Sequence, residues 1–188
     1  MERSFEAVLV EQCATTLAGM KPASLFRYQG ADKQQSREAA ARWAKELAPY
    51  GITVRVLKYC PQTGACLIYL YRAGWLRSIL SEPSTRAFLA GQGYGADQSC
   101  QELLRQLSRR LCLEREFPHE IGVFLGYPLE DVVGFIRNRG RNYTCCGYWK
   151  AYGDPEAARK RFDQYRRCTA ACCEQFRQGA AITQLIAA

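Results

Sequence analysis

One histidine, His119, serves the whole of this 188-residue chain. That excludes multi-histidine metal sites and any acid–base pair built from two imidazoles. No CxxC spacing occurs, so zinc ribbons and thioredoxin-type motifs are excluded as well. Neither a GxGxxG turn nor a GK[ST] loop is present; the glycine run GQGYG at 91–95 follows a helical pattern, not a strand, and reads as a linker. No apolar run approaches the roughly 20 residues that span a bilayer. The opening MERSFEAVLVEQ carries Glu2, Glu6 and Glu11 where an export signal needs positive charge, which points to a cytoplasmic protein with no membrane partner.

Cysteine, by contrast, is plentiful, at ten. In a reducing compartment these are free thiols, and their spacing (Cys60 with Cys66, Cys168 with Cys172 and Cys173) lacks a metal-ligand pattern, so no metal is expected. The formal net charge is +8, and 20 of the 26 basic residues are arginine. The excess is diffuse: residues 1–94 hold 12 basic and 7 acidic side chains, residues 95–188 hold 14 and 11. A spread charge favours solubility over a dedicated nucleic-acid surface.

Length and composition fit one domain over residues 1–188. Phe5, Val8, Leu9, Cys13 and Leu17 share a helical face that ends at Gly19. A short strand follows at Ser24–Tyr28, then a helix capped by Ser36 and ended by Pro49 and Gly51. ITVRVLKY and CLIYLYR, joined through CPQTGA, predict a hairpin. Short helices are expected at Gly74–Ser81 and after Pro83, and Ser99 with Glu102 has capping-box spacing before the stripe Leu103, Leu104, Leu107 and Leu111. Asp154–Pro155–Glu156 starts a long C-terminal helix that Gly179 stops.

Between these lies the densest stretch of chemistry, Phe117–Tyr152. Glu120–Gly126 is apolar on both faces and reads as a central strand, Pro128 opens a helix that ends near Gly140, and Tyr143–Tyr152 reads as the next strand. The expected fold is therefore α+β: a mixed sheet of about five strands with helices packed on it, containing a C-terminal βαβ unit. Parallel strands would place His119 and Cys145–Cys146 at one sheet edge, and Tyr127, Pro128, Lys150 and Tyr152 at the other.

Three functional readings follow. A small-ligand or partner-binding site would use Lys21, Tyr127, Pro128, Lys150 and Tyr152, where strand ends meet a helix N-terminus. A thiol-dependent enzyme would pair His119 with Cys13 or Cys146, an imidazole holding a thiolate. A weak RNA- or DNA-binding surface would use Arg137, Arg139 and Arg141 beside the aromatic strand. A small molecule or protein partner is favoured over nucleic acid; any cofactor is unknown, and whether a reaction occurs is left open.

HEIGVFLGYPLEDVVGFI with CGYWKAYGD, and CATTLAGMKPASLF near the N-terminus, resemble an uncharacterised bacterial family, domain-of-unknown-function family 3793. The resemblance implies that Cys13, Thr16, Leu17, Gly19, Lys21 and Leu25–Phe26 form one motif. It implies a second of His119, Glu120, Gly122, Gly126, Tyr127, Pro128, Gly147, Trp149, Lys150 and Tyr152. It carries no activity.

Overall fold

A computed structural model describes residues 3–30, 33–114 and 116–187. The fold is α+β, with a three-stranded and a two-stranded antiparallel sheet among the described residues and a long C-terminal helix. The chain divides into two compact units, Met1–Trp75 with Cys168–Ala188, and Leu76–Arg167.

The first unit is built on the sheet β1 (Ala23–Tyr28), β2 (Ile52–Tyr59) and β3 (Cys66–Arg72), in the order β1-β3-β2. β2 and β3 are the expected hairpin, and a bulge at Leu57 lets both flanking stretches of β2 keep their register. Helix α1 (Phe5–Leu17) packs on β1 and α2 (Lys33–Leu47) on β2. Phe5 meets the rings of Phe26 and Tyr28 edge-on at 5.9 and 4.9 Å. Leu9, Cys13 and Leu17 are buried on the same stripe. The last turn of α1 has carbonyls to satisfy, and Arg72 does so: its Nε donates to Thr16 O (2.9 Å) and its Nη2 to Leu17 O (2.7 Å). Ser36 is not a cap. It sits inside α2, where its Oγ accepts from Gly30 N at 2.9 Å and so satisfies a buried amide.

The second unit holds helices α3 (Ala73–Ser81, from Leu76), α4 (Pro83–Gly91), α5 (Cys100–Leu113), α6 (Ile121–Phe124) and α7 (Leu129–Asn138). The hairpin β4 (Cys145–Cys146) and β5 (Lys150–Ala151) and the first half of α8 (Pro155–Arg177) complete it. α5 begins on the expected capping box: Ser99 Oγ accepts from Glu102 N, and the Glu102 carboxylate accepts from Ser99 N. Leu103, Leu104, Leu107 and Leu111 are all buried.

Among the described residues the βαβ unit is absent, and with it the mixed sheet. Glu120–Gly126 is no strand: Ile121–Phe124 is a helical turn whose four residues are all buried. A short run that is apolar on every side suits a buried helical turn as well as a buried strand, and periodicity cannot separate them. Gly126, at φ +74°, ends the turn, with Tyr127 N donating to Gly122 O at 2.9 Å. Tyr143–Tyr152 is not one strand either. It folds back on Gly147–Trp149, pairing Cys146 with Lys150 and Cys145 with Ala151. Any side chain at Gly147 would meet Phe162: a Cβ there would lie 2.3 Å from its ring. Glycine thus permits the close approach of α8.

Candidate functional site: an aromatic pocket in the second unit

Folding the 143–152 stretch back over α7 reverses the expected layout of chemistry. His119, Cys146, Tyr127 and Lys150 line a single pocket of about 380 Å³, within the usual range for small-molecule sites. The two sheet edges expected to separate them do not exist, because the strands that would define those edges are a helical turn and a hairpin. Cys145, one residue along β4, points to the other face by strand alternation and does not line the pocket.

Aromatic rings dominate the walls. Tyr127 and Trp149 stack at 4.8 Å between centroids, and Trp149 abuts Phe162 edge-on at 4.6 Å. On α7, Phe135 lies 4.9 Å from His119. Phe117 and Tyr148 line the pocket while keeping 49% and 36% of their surface exposed. His119 and Cys146 are also exposed, so the pocket opens to solvent on their side.

The hairpin is held to α7 by one buried carboxylate. Asp131, in the first turn of α7, accepts from Trp149 Nε1 (2.7 Å) and Tyr152 N (2.7 Å) through different oxygens, and from Gly153 N at 3.2 Å. Both oxygens are engaged, which makes Asp131 a clamp that sets the tilt of the Trp149 ring. A second buried acid anchors the other wall. Glu120 accepts from Tyr94 Oη (3.0 Å) and Arg110 Nη1 (2.7 Å), and the Arg110 guanidinium lies 4.5 Å from the centre of the Tyr94 ring. Burial and the neighbouring Glu120 charge push the Tyr94 phenol well up, so it stays a donor. The pair fixes the backbone at Glu120 and, with it, the position of His119.

Lys150 closes the pocket at the C-terminal end of α7. Its Nζ donates to Gly140 O (2.8 Å) and lies 5.0 Å from the centre of the Tyr143 ring and 5.9 Å from that of Phe135. Tyr127 is no acid–base group: burial first, then the neighbouring Tyr165, pushes its phenol up to about 12.

The remaining candidates are placed elsewhere. Pro128 is the N-cap residue of α7 and lines a separate, smaller hollow of about 90 Å³ with Asp131 and Trp149. Tyr152 packs its ring against Gly134, and its Oη is out of solvent without a hydrogen-bond partner among the described residues. Lys21 and Cys13 belong to the first unit. Cys13 is fully buried and its thiol is pushed up to about 12 by burial, so it stays protonated; Lys21 beside it is brought down to about 8 by burial. Arg137, Arg139 and Arg141 are exposed, and Arg139 caps α7 in the left-handed region at φ 50°. Among the described residues, no three His, Cys, Asp or Glu side chains converge as a metal-binding group. No helix among them is long and apolar enough to cross a membrane.

Sequence reading missed Asp131, Phe135 and Phe117 as parts of the site. Asp131 sits beside the apolar Val132 and Val133, and an acid in a helix's first turn is favourable there for the dipole alone. The signal available was Trp149: a buried indole needs an acceptor, and few acids lie within reach of it in sequence.

The chain belongs to the family described as Protein of unknown function (DUF3793), which matches residues 9–186. No curated protein and no solved structure matches it.

Proposed function

We propose that this protein is a small-ligand-binding domain of the cytoplasm whose site is the aromatic pocket of the second unit. The observation that carries the reading is a cavity of about 380 Å³ into which both halves of the Phe117–Tyr152 stretch contribute side chains. Its walls are preorganised, since two buried acids, Asp131 and Glu120, already hold them in hydrogen-bonded networks. The ten cysteines are all free, which suits a reducing compartment. Nucleic acid is disfavoured because Trp149 and Tyr127 are committed to each other inside the pocket.

The test is thermal unfolding with a panel of naphthalene- and indole-sized rings, in the wild type and in Cys146→Phe, which puts a ring into the open side of the pocket. A ligand at 100 times its Kd contributes about 2.7 kcal/mol. For a chain of this size that is a rise of roughly 5–10 °C in Tm. Stabilisation that Cys146→Phe abolishes is expected; a panel that stabilises neither protein refutes the reading.

A thiol-dependent reaction is the second reading, favoured by one observation: Cys146 and His119 share the pocket, and Lys150 is the cross-strand neighbour of Cys146. It requires Cys146 to alkylate faster near neutral pH than Cys112, the other exposed cysteine, and to lose that excess in His119→Ala. Equal rates at the two positions sink it.

A further inference from the structure

The charges along the pocket narrow its ligand, on the reading just given that the pocket binds one. Among the described residues, Asp131 is the only acid in the lining and Lys150 the only lysine or arginine. They sit at opposite ends of α7: Asp131 in its first turn, Lys150 against Gly140, just past its last residue. Nine residues at 1.5 Å each put these ends about 13 Å apart, well beyond the roughly 4 Å reach of an ion pair. The acid is fully engaged by three N–H donors. The ammonium is not. It has three N–H groups, and Gly140 O takes one. Among the described residues Lys150 has no carboxylate partner, and the other groups beside it are the Tyr143 and Phe135 rings. The helix-end carbonyl takes one donor, and the helix dipole and the two ring faces offset the charge only in part, without a carboxylate. Arg139 and Arg141, both exposed, flank Gly140 and add to the positive field at this end.

Between the two ends the wall is apolar, made by Val132, Phe135 and Leu125, with the Tyr127–Trp149 stack and the His119 ring beside them. Flat faces select flat ligands, since offset and edge-to-face ring contacts contribute beyond simple area burial. We infer that the pocket takes a planar aromatic molecule bearing one anionic group, carboxylate or phosphate, with its ring among Tyr127, Trp149, Phe135 and His119 and its anion on Lys150. An ion pair formed in so apolar a setting is worth more than one at an open surface.

The experiment is isothermal titration of the full chain with 2-naphthol, 2-naphthoate and 2-naphthyl phosphate, which share a ring and differ in charge. At least one anion is expected to bind about tenfold or more tightly than 2-naphthol, the scale of one charge-assisted hydrogen bond. Lys150→Gln, which keeps an N–H donor but removes the charge, should bring that ratio near one. Lys150→Arg should keep the preference. The carboxylate and phosphate arms show which anion the site holds, and preference for either supports the inference. Equal affinity for all three probes, or a preference that survives Lys150→Gln, overturns it while the pocket reading stands. Failure of every probe to bind overturns both.

Discussion

Asp131 is the side chain on which the pocket's geometry most depends, and its replacement gives the sharpest test of how the hairpin is held. Asp131→Ala removes three hydrogen bonds at once. Trp149 is buried, so its indole N–H loses its partner with little water to replace it, at about 1–3 kcal/mol. Tyr152 and Gly153 are half-buried, and their amides can recruit water, at about 0.5–1.5 kcal/mol each. The expected loss is roughly 3 kcal/mol. Asp131→Asn keeps Oδ1 for the two backbone amides but turns an NH2 toward the indole N–H, donor against donor, so it should cost about 1–2 kcal/mol. Trp149→Phe removes that indole donor. In its background the cost of Asp131→Asn should fall below about 1 kcal/mol, and the difference is the coupling energy of the pair. Urea unfolding followed by circular dichroism, with free energies from linear extrapolation, measures all four corners of the cycle. The reasoning fails if Asp131→Ala costs under about 1 kcal/mol, or if the Asn cost is unchanged by Trp149→Phe.

Three further outcomes are expected. Gly147→Ala places a Cβ 2.3 Å from Phe162, so the turn and α8 must part; a loss of about 1–3 kcal/mol in urea unfolding should accompany weaker ligand stabilisation, and a neutral effect would refute the contact. Arg139→Gly relieves a left-handed C-cap at φ 50° and should stabilise by up to about 1 kcal/mol, after the added freedom of glycine in the unfolded chain; a clear loss would show that Arg139 makes a contact worth more than its strain. Lys21 is brought down from 10.5 to about 8, so between these values the unfolded chain binds the extra proton and the native state gains relative stability as pH rises. The gap in unfolding free energy between Lys21 and Lys21→Met, both in a Cys13→Ala background because the neighbouring thiol couples to Lys21, should therefore shift in favour of Lys21 from pH 8 to 10. A gap independent of pH would refute it.

The first unit was legible because its signals are local. Alternation and the CPQTGA turn specify the β2–β3 hairpin, and the three- and four-residue spacing of Leu9, Cys13 and Leu17 specifies α1. The capping box at Ser99 and the Asp154–Pro155 start of α8 were equally readable, because a cap is satisfied within a few residues of itself. In the second unit the residue identities of the site were legible while their arrangement was not. His119, Tyr127, Cys146 and Lys150 all stand out by type, and all four line the pocket.

Composition and pattern thus determined the α+β class, the long C-terminal helix and the stretch in which chemistry concentrates. Tertiary packing alone decided that Ile121–Phe124 is helical, since a run with every side chain buried has no polar face from which a period can be read. Packing also decided that Tyr143–Tyr152 doubles back. The turn depends on Gly147 meeting Phe162 of α8, and the hairpin's hold depends on Asp131 reaching Trp149, 18 residues away. Contacts of that separation leave no periodic trace in the chain, and they are what turn two expected edges into one pocket.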